Sequence, residues 1–365
     1  MVTVDGDPIR ALAYPALVGS PQIGDRVLLN VGALEAGLGT GGYALVVAIP
    51  DRLPADVDTP GHIVKSRYTP TQVMVASADE QGSAHHELLR SADSLDQMPV
   101  VVADLHSALP AVLAGIQGSY RTDRGSGPRV AYVMTDGGAL PAWFSRTVAG
   151  LRAAGWLAAT ITTGQSFGGD LEAVTVHSGL LTARHVVRAD IAIVAQGPGN
   201  LGTGTRWGFS GVAAGEAVNA AAALDGRPVA SLRLSFADPR DRHQGVSHHS
   251  LTAYGRVALA PADVVLPALP EPQATRVATD AAVLAARHRL VTVSLDGLEE
   301  ALRSCPVTLS TMGRSVAQDL EYFLAAAAAG RHAVSLLGWE ASGLGSLGVR
   351  KQRGCRSRTP ACRCP

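Results

Sequence analysis

The chain has 365 residues, with 47% hydrophobic, 17% charged and only 4% aromatic residues. That length allows two or three domains, and core volume must come from Ala, Val and Leu, as in buried parallel sheets and the helices that cover them. Formal net charge is zero, yet residues 349–365 carry six basic and no acidic side chains, so the remainder carries a net −6. A mildly acidic body argues against a nucleic-acid-binding surface. No apolar run reaches the roughly 20 residues of a membrane span, and the opening MVTVDGDPIR lacks a basic-then-apolar signal pattern. The expectation is a cytoplasmic protein with no membrane partner.

Residues 11–50 read as short strands, ALAYPALVG, DRVLLNV and YALVVAI, separated by Gly- and Pro-bearing turns. With no helix between them they are expected to pair antiparallel as a small β-unit over 1–62, and the Pro- and Asp-rich stretch 51–60 reads as its linker. From about residue 71 the rhythm changes. Apolar, β-branched runs at 71–76, 100–105, 129–134, 157–162, 190–195, 228–234 and 263–269 alternate with Ala/Leu-rich helical windows. Alternation of this kind implies a mostly parallel sheet flanked by helices, here an α/β domain over 63–270. Residues 172–185 read as an inserted hairpin turning at Ser178-Gly179. Residues 271–337 read as a helix-rich part packed on that domain, with Gly330 suited to a helix C-cap. The end, 338–365, reads as a disordered basic tail. Its Cys355, Cys362 and Cys364 include a Cys-Arg-Cys spacing that fits no standard zinc pattern.

In α/β sheets ligands bind beyond the carboxyl ends of the strands, so the residues after each strand carry the functional reading. After the strand DIAIVA comes QGPGNLGTGTRWGFSG, residues 196–211. Gly197, Gly199 and Gly202 fit G-x-G-x-x-G, where glycines let backbone N–H groups approach an anion at a helix N-terminus. Gly204, Thr203, Thr205 and Arg206 extend the loop beyond a dinucleotide fingerprint, Asp225 is wrongly placed as its acidic partner, and no G-K-[ST] makes it a P-loop. A nicotinamide reading is therefore weak, and the competing bland reading is a tightly packed turn. After PVASLRL comes SFADPRDRHQGVSHHS, residues 235–250. Arg240 or Arg242 there can clamp a carboxylate or phosphate. His243 and His248 with Asp238 can hold a divalent metal, or Asp238 and His243 can serve acid–base chemistry. In an extended segment His248 and His249 cannot both face one point. The bland reading is a solvated loop whose charges pair with one another. Asp136, before Gly137-Gly138, is either a carboxylate at the sheet edge or a local cap.

With VKSRYTP at 64–70, YVMTDGGALP at 132–141, the two segments above, and TMGRSVAQDLEYFLAAAAAGRHA at 311–333, the chain resembles the domain-of-unknown-function family DUF3866. The resemblance implies one intact unit over 1–335 and assigns no activity, cofactor or site residue. Two functions follow from the residues. One is an enzyme or binder for a small anionic, phosphorylated ligand in a cleft made by the loops after 129–134, 157–162, 190–195 and 228–234. The other is a non-enzymatic regulatory or interaction protein, in which these motifs are structural and a partner or second protomer docks on the β-unit or helices.

Overall fold

Apolar runs buried on both faces form the centre of the molecule. In the computed structural model, which describes residues 1–56, 61–120 and 127–338, eight strands make one wholly parallel sheet. They are β1 (Pro99–Val102), β2 (Val130–Thr135), β3 (Ala159–Thr162), β4 (Leu171–Glu172), β5 (Ile191–Gln196), β6 (Arg227–Ser231), β7 (Asp263–Pro267) and β8 (Arg289–Val293). Their order is β4-β3-β2-β5-β1-β6-β7-β8, with Ile193 of β5 opposite Tyr132 on one side and Val101 on the other. Every residue of β1 and β5 is buried, which is why these strands read as continuous apolar runs rather than alternating ones.

Helices cover both faces. On one lie α1 (Leu109–Ser119), α2 (Arg146–Ala153), α7 (Leu298–Arg303) and α8 (Leu320–Ser335); α8 packs on α1, β1, β6 and β7. On the other lie α3 (Val176–Leu181), α4 (Ala213–Ala223), α5 (His248–Thr252) and α6 (Gln273–Ala281). The chain steps from β1 to β2 to β3 in one direction and from β5 to β6, β7 and β8 in the other. Its connections therefore leave on opposite faces around β5, and the loop after β5 stands at the topological switch, where open α/β sheets take ligands. The apolar run at 289–293 is the edge strand of this same sheet, so the C-terminal region shares its core.

Helices α1 and α8 approach backbone to backbone at two glycines. A Cβ on Gly115 would lie 1.9 Å from the Ala327 carbonyl oxygen, and one on Gly330 would lie 2.0 Å from that of Val112. Gly330 is thus a contact in mid-helix rather than the expected C-cap. The run Ala325–Ala329 is wholly buried against the sheet, supplying close packing where bulk would separate the layers.

The N-terminal part holds a hairpin, Val2–Val4 with Asp7–Ile9. It also holds a three-stranded sheet in which Ala44–Ala48 pairs antiparallel with Leu28–Asn30 but parallel with Ala11–Leu12. The antiparallel pairing expected of the small β-unit is present, and Ala11–Leu12 adds one parallel pair to it. The run at 71–76 is not a central strand: Val73–Val75 pairs antiparallel with Ile63–Lys65, and its half-exposed Val73 and exposed Met74 suit an outer ribbon. Residues 172–185 are not a hairpin. A capping box between Thr175 and Ser178 starts α3, and Gly179 lets that helix close on Thr163 and Val133. Residues 57–60 of the expected linker and 339–365 of the basic end lie outside the described residues. Among the described residues no helix is long and apolar enough to cross a membrane.

Overpacking the α1–α8 contact is the sensitive test of this core. Gly115→Ala and Gly330→Ala are each expected to destabilise the protein by about 2–3 kcal/mol in urea denaturation. Gly82→Ala, where an added Cβ meets nothing, should cost less than about 0.5 kcal/mol.

Candidate functional site

The eight strands of the central sheet being parallel, the loops after β1, β2, β3, β5 and β6 emerge at one edge. They are laced together there. Ala139 N–H donates to the Pro198 carbonyl at 2.7 Å, and the Asp136 carboxylate accepts from Gln165 N–H at 2.8 Å. Gly197 has no room for a side chain, since its Cβ would lie 2.4 Å from the Ala139 carbonyl oxygen. Gln196, at the end of β5, donates from Nε2 to the Asp104 carbonyl after β1. A cavity of about 10 Å³, lined by Asp104, Thr135, Gln196 and Ser210 among others, has room for one water. Gln196 Oε1 and Asp104 Oδ2 are buried there without hydrogen-bond partners among the described residues.

The Gly-rich loop itself is a small excursion closed by Thr203 N–H to the Gly208 carbonyl and by the Thr203–Thr205 hydroxyl contact at 3.0 Å. Gly199 and Gly204 have φ of +91° and +78°, a region that glycine enters freely. Gly202 pairs with Phe209 across the loop base. The backbone N–H groups of Gly199, Asn200, Gly202, Gly204, Thr205 and Arg206 donate no hydrogen bond among the described residues.

Residues 235–249 are pinned at both ends. Leu234–Ser235 pairs antiparallel with Gly245–Val246, closing the intervening segment into a loop. Inside it, Asp238 is fully buried and accepts a bidentate pair from Arg240, at 2.8 and 2.7 Å, and a bond from Arg314 at 3.2 Å. Arg233 Nη2 stands 3.7 Å away. Arg314 also donates to buried Asp319 at 2.8 Å, which accepts from the Ser235 hydroxyl. The hydrogen bonds from Arg240 hold the Asp238 carboxyl well below the usual carboxylate range, so Asp238 is an anchor and cannot carry protons near neutrality.

Beside this network the three imidazoles of His243, His248 and His249 meet, with one ring nitrogen of each within 4.8 Å of the others. Ser247 caps α5, so the segment is helical rather than extended from 248 onward. The expectation that only one of His248 and His249 faces a given point is corrected by that turn. Ser247 Oγ holds His243 Nδ1 at 2.7 Å. The Phe209 ring, from the Gly-rich loop, stacks on His249 at 3.7 Å and 5°. His249 Nδ1 lies 3.0 Å from Arg233 Nη1 and 3.6 Å from Asp104 Oδ2, while His248 Nε2 is buried without a partner. Burial, helped by Arg233 and Arg240, pushes His243 down to about 3. Burial and the neighbouring His249 and Arg242 push His248 down to about 4. Both are neutral at pH 7.

The structure therefore brings His243 and His248 together with His249, Asp104 and Arg233, three residues the sequence reading did not select. Asp104 and Arg233 sit inside or just after apolar strands and carry no motif. Arg240 turns inward to Asp238 rather than outward to a ligand. Arg242 is exposed and forms no ion pair among the described residues, and a Cβ on Gly204 would lie 3.8 Å from its Nη2. Arg206 and Thr203 are exposed on the loop. Asp136 spends its carboxylate tying two loops together and makes no contact with the imidazoles.

These features define a doubly wound α/β protein whose loops gather at the switch point of its sheet. The chain belongs to the family described as "Protein of unknown function (DUF3866)", whose sequence profile matches residues 10–330. No curated protein and no solved structure matches it.

One further histidine gives the fold a pH signature. His106 bonds Tyr132 through Nδ1 at 3.1 Å and Ser145 through Nε2 at 2.8 Å, and burial lowers it to about 4. Its unfolded value is about 6.5, so the unfolded chain takes up the proton first. Stability is full above that pH and falls as pH drops toward about 4. In His106→Gln the loss of stability over this window, read as urea midpoint against pH, should be smaller than in the wild type. His243 and His248 leave a residual slope, and an unchanged profile would show that His106 does not titrate as placed.

Proposed function

We propose that the protein binds a small anionic ligand, carrying a phosphate or carboxylate, between the Gly-rich loop 197–211 and the segment 235–249. The carrying observation is a contrast among four arginines. Arg233, Arg240 and Arg314 are engaged by buried Asp238, whereas Arg242, beside Gly204, has no carboxylate. Arg206 on the loop forms no ion pair among the described residues either. Undonated N–H groups along the same loop add neutral donors of the kind that cradle anions. A guanidinium bonded to an anionic oxygen contributes about 1.5–3 kcal/mol. Acid–base work would fall to the imidazoles, because Asp238 is locked in its arginine network and Asp136 holds two loops together.

The reading is tested by thermal shift of the full chain with nucleotides, sugar phosphates and dicarboxylates at low salt, where screening is weakest. A ligand should raise Tm, and Arg242→Gln should weaken its binding by about tenfold to a hundredfold. Arg303→Gln, on a remote helix, should leave binding unchanged. No shift with any anion, or a shift indifferent to Arg242→Gln, would overturn the assignment.

A further inference from the structure

We propose that His243, His248 and His249 form a divalent-metal site of the nitrogen-rich kind that takes zinc, with Asp104 orienting His249. The proposal rests on the same sheet edge being the ligand site, but its test is separate.

Three observations support it. First, the ring nitrogens converge, and His248 Nε2 is buried with no hydrogen-bond partner among the described residues. A histidine buried only to fill space would satisfy that atom, because a buried orphan is costly. Ligands of one tetrahedral zinc, with bonds of about 2.0–2.1 Å, stand roughly 3.4 Å apart. The imidazoles need to close by up to about 1.4 Å, and His248 is part-exposed.

Second, the surroundings fit a ligated imidazole. The Ser247 hydroxyl fixes His243 Nδ1, leaving Nε2 for the metal. For His249 to bind through Nε2, its Nδ1 must carry the proton, and Asp104 Oδ2, 3.6 Å away and otherwise unpartnered, is there to accept it. That is the carboxylate–histidine–metal arrangement. Arg233, which donates to Nδ1 in the metal-free tautomer, retains Asp238 as its counter-charge. Phe209 stacking sets the plane of the His249 ring.

Third, the charges allow it. Arg233, Arg240 and Arg314 balance Asp104, Asp238 and Asp319 around the imidazoles. A divalent cation would leave the site two charges positive, to be cancelled by an anionic ligand. Three protein ligands leave an open position on the His248 side, toward Arg242.

The test uses the full chain with Cys355→Ser, Cys362→Ser and Cys364→Ser, so that tail thiolates do not contribute. After chelation and dialysis into non-coordinating, anion-poor buffer, Zn²⁺ is titrated calorimetrically and Co²⁺ by visible absorption. One equivalent should bind, with tetrahedral cobalt bands and no thiolate charge transfer. His248→Ala and His249→Ala should each weaken binding at least a hundredfold, and Asp104→Asn about tenfold. His185→Gln, an imidazole bonded to the Ser94 carbonyl, should change nothing. Circular dichroism confirms that each variant is folded. Absence of stoichiometric metal, or unchanged affinity in folded His248→Ala and His249→Ala, overturns the proposal. If metal fails while an anion still binds through Arg242, only the metal assignment falls. Metal binding without any anion supports this site and removes the anion reading instead.

Discussion

The arrangement of loops at the candidate site depends on one buried carboxylate. Asp238 has no exposure, and Arg240, Arg314 and Arg233 surround it. Burying a single charge would be prohibitive, whereas charges buried together with counter-charges are tolerated. Through Arg314 and Asp319 it joins the segment after β6 to the start of α8, some eighty residues on. That fixed frame is what holds His243, His248 and His249 in one place and leaves Arg242 outside the network.

The sheet supplies the second constraint. With eight parallel strands, every loop that follows a strand must leave the same edge, and the winding direction changes around β5 there. The close α1–α8 contact works toward the same end. By letting α8 approach the sheet through Gly115 and Gly330, it brings Asp319, the cap of α8, within reach of Ser235 and Arg314. A bulkier contact would move the helix and the anchor of the site together.

Much of the fold was legible locally. The runs at 100–102, 130–135, 159–162, 191–196, 227–231 and 263–267 are β-branched, apolar and flanked by helical windows, so their identity as buried parallel strands follows from composition. The Gly-rich loop was legible too, although Gly197 proves to be glycine because the Ala139 carbonyl lies against it. The outer ribbon at 73–75 looked like one more strand because a short apolar run does not reveal its partner. Ser178-Gly179 looked like a turn because capping and turn chemistry use the same residues.

The sequence by itself determined the α/β class, the parallel character of the sheet and the two segments, 196–211 and 235–249, at its edge. Local burial and turn chemistry encode these directly. Only the tertiary structure decided the strand order, the inward turn of Arg240, the pairing of His248 with His249 through one helical turn, and the presence of Asp104 and Arg233 beside them. Those depend on which charges meet across distant parts of the chain. A charged residue in an apolar run is uninformative until its counter-charge is in place.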